Sequence, residues 1–235
     1  MRIELTQAFQ TACPEGVWGA LIVRGCPNRP RAAAIDADRR TVESQLRERF
    51  SGNAIDAVPI AAAYAGYFRR FGGRYPVVHQ ARTVIGGRPI ASASALVEAM
   101  FIAELDSLVL TSGHDLGALR EPLRVDVARA GETYTKLSGK DQALREGDMV
   151  ARDASGVIAS VFYGPDQRTR IRDDTGAALF GAWCPQGVPP AAVEAHLATL
   201  GALLRREWPD AVVEPPRILG IAAGGQGWAG GLSRE

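Results

Sequence analysis

Two rhythms of apolar and polar positions run along this chain. Between Asp36 and Phe50, Val42, Leu46 and Phe50 recur at helical spacing among charged residues. That spacing predicts an amphipathic helix, ended by Ser51, Gly52 and Asn53. A second helix is predicted from Pro59 to Phe71, with Ile60, Ala63, Tyr64, Tyr67 and Phe68 on one stripe and Gly72-Gly73 as its stop. A third runs from Ser92 to Leu105, with Leu96, Val97, Met100, Phe101 and Leu105 as its apolar face. A fourth runs from Ala191 to Trp208, with Val193, Leu197, Leu200 and Leu204 inward and His196 beside the stripe as a structural group. Tyr75 to Ile85 shows neither rhythm and reads as irregular, with His79 a satisfied core group among apolar neighbours.

The second rhythm is the period of two that belongs to strands. Val17 to Arg24 is a short apolar run between turn residues and predicts a buried strand. Further strands are expected at Leu108–Leu110, around Val125 and Val127, at Thr133–Leu137, at Met149–Arg152 with Val157–Tyr163 as a hairpin, and at Ala177–Trp183. Gly, Asp or Pro stands at nearly every reversal between Ser107 and Trp183. Past Pro215 and Pro216 the chain is Gly-rich with small apolar groups. We expect one domain over residues 1–212 and a flexible tail over 213–235.

Composition narrows the classes. With 235 residues, 46% hydrophobic and 23% charged, the chain is long enough for a substantial core. Lys and Arg number 27 against 26 Asp and Glu, so an anionic partner must be held by a local patch. Cys13, Cys26 and Cys184 have neither metal-ligand spacing nor a disulfide framework, which fits reduced thiols. No metal or cofactor is expected. With no leader-like start and no membrane-length apolar run, the expected location is cytoplasmic, with no membrane partner.

Three polar clusters could carry chemistry. The first is Ser112, Gly113, His114 and Asp115, after the apolar run at 108–110. His114 could act as base or donor near neutral pH. The structural alternative is that Asp115 caps a turn and His114 satisfies a carbonyl. The second is Gly164, Asp166, Arg168, Thr169 and Arg170, where Gly164 would let backbone approach a ligand and the arginines could grip phosphates or hold Asp166. The third is Glu98 and Glu104 on the third helix, one of which could meet an α-amino group, the alternative being solvated helix carboxylates. Asn28, Arg29 and Arg31, past the end of the first long strand, are either binding groups or a solvated turn.

The order D-L-G-A-L, V-A-R-A-G-E, L-S-G, M-V-A-R-D, V-F-Y-G and D-D-T-G-A-A-L-F-G-A-W resembles the tRNA-binding and editing domain of the bacterial phenylalanyl-tRNA synthetase beta subunit. It resembles the stand-alone proteins built from that domain more closely still. The resemblance takes in A-L-I-V-R-G-C-P-N-R-P and A-L-V-E-A-M-F-I-A-E-L and spans roughly Val17 to Pro185. It implies an α+β fold with a central mixed or antiparallel sheet and flanking helices. It also implies a pocket for an aminoacylated tRNA 3′ end, with ester hydrolysis in trans, and no DNA partner. On it, Ser112, His114 and Asp115 are the candidate catalytic residues. Glu98, Gly113, Gly164, Asp166, Arg168 and Thr169 are the candidate substrate contacts, and Arg29, Arg31 and Arg170 the candidate RNA contacts. Two departures stand out: Ser112 occupies the place of the family's His, and Phe180 that of its Glu. The rival readings are an RNA-binding module without catalysis and a pocket protein for an amino acid or nucleoside.

Overall fold

The computed structural model describes residues 1–50, 54–90 and 93–220. In order the elements are β1 (Ile3–Leu5), α1 (Gln7–Ala12), β2 (Val17–Arg24), α2 (Asp36–Arg49), α3 (Pro59–Arg70), α4 (Pro76–Ile85) and α5 (Ala95–Ser107). There follow β3 (Thr111–Asp115), β4 (Leu123–Val127), β5 (Thr133–Thr135), β6 (Asp141–Ala143), β7 (Met149–Asp153) and β8 (Gly156–Ser160). The series closes with β9 (Gly164–Pro165), β10 (Ala177–Cys184), α6 (Pro190–Glu207), β11 (Val212–Val213) and β12 (Arg217–Leu219). The class is α+β, as expected.

Two five-stranded sheets carry the architecture. One runs β1-β4-β7-β8-β9 and is mixed, because β1 lies parallel to β4 while the other pairs are antiparallel. The other runs β11-β2-β10-β3, with β12 also on β2, and is antiparallel throughout. Strand β2 is buried along seven of its eight residues, and β10 along its last seven. Strands covered on both faces need continuous apolar runs, which is what V-W-G-A-L-I-V and A-L-F-G-A-W-C provide. Helix α6 packs on β2 and against α5. Gly19 permits that contact: a Cβ there would stand 2.6 Å from Val193 Cγ1 and 2.7 Å from Leu197 Cδ1.

Four expectations are corrected. Residues 76–85 form a helix: Pro76 opens it, where the missing N–H costs nothing, and Val77, Val78, Ala81 and Val84 make its buried face. His79 is exposed on that helix and is no core group. Leu108–Leu110 is not a strand, because Leu108 ends α5 in the left-handed region (φ 61°) and the strand begins at Thr111. The polar cluster is therefore the strand itself. The chain past Pro216 also departs from the expected tail, since Arg217–Leu219 pairs with Leu219↔Trp18 and its neighbours on β2. The rest of that segment, 221–235, lies outside the described residues. Among the described residues, no helix is long and apolar enough to cross a membrane.

Candidate functional site

Strand β3 is the edge of the antiparallel sheet, and all five of its residues are buried. Buried polar side chains must find partners. The main chain of β3 also pairs with the segment just after β9: His114 bridges Arg170 in antiparallel fashion, and Asp115 N donates to Thr169 O at 2.7 Å. The two sequence clusters that could have lain at opposite ends of the molecule are thus in contact.

Between them runs one chain of hydrogen bonds. Thr169 lies 0% exposed, and its hydroxyl donates to Asp166 Oδ1, which also accepts the Thr169 N–H at 3.0 Å. A hydroxyl has a single proton to give. His114 Nδ1, 2.7 Å from the Thr169 oxygen, must therefore be the donor of that pair. Burial pushes the His114 imidazole down to about 4, so near neutrality it is uncharged and Nε2 carries a free lone pair. Ser112 Oγ lies 3.1 Å from that Nε2 and 3.5 Å from Gly181 O, so the imidazole is the nearer acceptor for its one proton. Trp183 Nε1 in turn donates to Ser112 Oγ at 3.2 Å. Asp166, Thr169, His114, Ser112 and Trp183 thus form one continuous hydrogen-bonded relay.

The relay ends on a cavity of about 580 Å³. Its walls are largely apolar and include Val97, Met100, Phe101, Phe162 and Ile171, while Ser112, Gly113, Gly164 and Trp183 also line it. Gly113 is required by space: a Cβ there would stand 2.7 Å from Ile171 Cδ1. Gly164 is required by conformation, at φ +88°.

Glu104 lines the same cavity. Its Oε1 accepts the Thr111 N–H at 2.6 Å, and burial pushes its carboxyl up to about 8. At neutral pH it is an uncharged acid with a proton to donate. The sequence named it only as one of two carboxylates on the third helix. Its full burial, six residues after Glu98, was concealed by a helix that is apolar nearly all round. On the same helix pair, His196 joins Ser107 Oγ at 2.8 Å and Thr111 Oγ1 at 2.7 Å, a structural clamp between α6, α5 and β3.

Other candidates sit elsewhere. Asp115 turns away from the cavity: Oδ1 caps the turn at Gly117 N (2.8 Å) and Oδ2 accepts from Thr175 Oγ1 (2.9 Å). The carboxylate that orients His114 is Asp166, reached through Thr169. Glu98 accepts from Ala32 N at 3.1 Å and pairs with Arg39 at 3.4 Å, and it does not line the cavity. Arg29 is held by Glu207 at 2.8 Å and lies over Trp208, and Arg31 is held by Asp36 at 2.8 Å. Neither borders the cavity. Arg170 does, and it also borders an open hollow of about 570 Å³ lined by Thr133, Arg168 and Arg172. Arg168 is anchored there by two 2.8 Å bonds to the buried Asp153 carboxylate.

No protein-family model matches the chain, and no curated protein sequence matches it. Among solved structures, the C-terminal domain of TILS aligns with 33% of this chain and 72% of its own at 17% identity, but at a TM-score of 0.29 it carries no weight. The crystal structure of an N-terminal fragment of the phenylalanyl-tRNA synthetase beta-subunit from Pyrococcus horikoshii aligns with 90% of this chain at 11% identity and a TM-score of 0.51. This chain spans about half the length of that fragment, covering 50% of it, and what the two share is an α+β fold.

Proposed function

We propose that this chain hydrolyses the ester of a mischarged aminoacyl-tRNA in trans, with the amino acid held in the cavity beside Ser112 and the RNA end running out past Arg170. The observation that carries this reading is that β3 and the segment Gly164–Arg170 meet around one largely apolar cavity lined by Ser112, whose hydroxyl is backed by the His114 imidazole. The volume, about 580 Å³, suits an amino acid and its ribose ester. His114 Nε2 is the proton acceptor, and Glu104 is a neutral donor for the developing oxyanion or the carbonyl. Gly113 and Gly164 let the main chain come close to the substrate. Arg168, Arg170 and Arg172 offer cations to the phosphates of the RNA end. Since the cavity walls are largely apolar, the favoured amino acid has an apolar side chain.

The test is release of labelled amino acid from a panel of mischarged tRNAs. At least one apolar aminoacyl ester should be cleaved at least ~100-fold faster than spontaneously. If each of the three arginines neutralises a phosphate, the logarithm of tRNA affinity should fall against log salt with a slope of about −2. Binding with that slope but no release on any tRNA would leave a non-catalytic RNA module. Release of none and no salt-dependent binding would overturn the RNA reading altogether.

A further inference from the structure

The relay has the parts of a nucleophilic site: a hydroxyl, a base that takes its proton, and a third group that fixes the base. Ser112 Oγ to His114 Nε2 is 3.1 Å, within the reach that such a pair needs. His114 Nδ1 to Thr169 Oγ1 is 2.7 Å, and the Thr169 hydroxyl in turn donates a hydrogen bond to Asp166. Direct contact of a carboxylate with the imidazole is replaced by contact through one hydroxyl, but the function is the same. The tautomer with the proton on Nδ1 is enforced, and Nε2 is left to accept. Trp183 Nε1 donates to Ser112 at 3.2 Å, so the serine oxygen already accepts a hydrogen bond that would stabilise it as its proton leaves. Ser112 and Trp183 both line the cavity, whereas the base and its supports lie behind them.

We infer that Ser112 is a covalent nucleophile and that hydrolysis passes through an acyl-serine intermediate. This deepens the ester-hydrolase reading of the same cavity and rests on it only for the identity of the ester. In the first half, Ser112 Oγ bonds to the ester carbonyl carbon and its proton moves to His114 Nε2. The carbon–oxygen bond to the alcohol then breaks, and the departing oxygen takes the proton from Nε2. In the second half, water adds to the acyl carbon and gives a proton to Nε2. The bond to Ser112 breaks, and Oγ recovers that proton. The sum is ester plus water giving acid plus alcohol, with no other reactant. Thr169 and Asp166 are positioning residues, since neither touches the acyl group.

The experiment needs no tRNA. The full chain is treated with an alkyl fluorophosphonate, and separately with the p-nitrophenyl ester of a short fatty acid, and followed by intact mass and peptide mapping. One adduct is expected on Ser112, absent from folded Ser112→Ala. Thr169→Val should slow labelling at least ~10-fold, and Thr169→Ser should restore it, because only the hydroxyl completes the relay. With burial holding His114 down to about 4, the labelling rate should be level above about pH 5.5, without the step near 6.5 that an ordinary imidazole gives. No adduct on the folded protein, or an adduct on another residue, overturns the inference. Labelling of Ser112 in a protein that deacylates no tRNA would sink the tRNA reading and leave the nucleophile. Deacylation undiminished in Ser112→Ala would do the reverse.

Discussion

Ester hydrolysis by a His114→Asn variant is expected to fall by about 10²–10⁴-fold, the range typical of a positioned general base. The loss should appear in kcat, because the imidazole acts on the proton in flight and makes no contact that holds the ground-state ester. Binding of uncharged tRNA should be unchanged, since the arginines that face the hollow remain. His114 is 1% exposed and satisfies both Ser112 and Thr169, so its removal also costs stability. Leaving two buried hydroxyls with poorer partners is worth roughly 1–3 kcal/mol. In a chain of this size that lowers Tm by about 2–4 °C per kcal/mol, so the variant stays folded at assay temperature. A full rate in a folded His114→Asn protein would remove the imidazole from the chemistry.

The second large effect concerns stability against pH. Glu104 is pushed by burial to about 8 from an ordinary 4.5. Between those values the folded protein holds a proton that the unfolded chain has given up. Stability therefore falls as pH rises through that window and levels off above about 8. His114 and His196 act in the opposite sense. Burial lowers both to about 4 from 6.5, so stability is lost as pH falls from 6.5 towards 4. Asp148, raised by burial to about 6, opposes the histidines below that pH. Between 6.5 and 8, Glu104 is the group among these that titrates. Glu104→Gln should abolish the decline there, because the amide oxygen still accepts the Thr111 N–H and no carboxylate has to be buried. At pH 8 the variant should be more stable than its parent, on the order of a few kcal/mol. Urea unfolding at pH 6.5 and pH 8 measures this, and a parallel decline in both proteins would show that Glu104 is ionised in the fold.

Helices α2, α3 and α6 were legible because each sets an apolar stripe against polar neighbours. Helix α4 was not, since Val77, Val78 and Val84 are β-branched and mask the spacing. Pro76 at its first turn was the signal to weigh. Strands β2 and β10 announced themselves as apolar runs. Strand β3 could not, for T-S-G-H-D reads as a turn until His196, Glu104, Thr169 and Trp183 supply partners from afar. The residue types of the site were visible, but their grouping was not. Asp115 stands next to His114 in sequence, and adjacent residues on a strand point to opposite faces. Asp166 stands far away and reaches His114 through a hydroxyl that no spacing rule connects to it.

The indole of Trp183 forms part of the cavity wall while its N–H is tied to Ser112. Its ring also meets Trp18 edge to face, with centroids 6.1 Å apart. Whatever occupies the chamber alters the surroundings of a chromophore wired to the reacting oxygen. The protein thereby carries its own optical gauge of occupancy, readable by intrinsic emission without any attached dye.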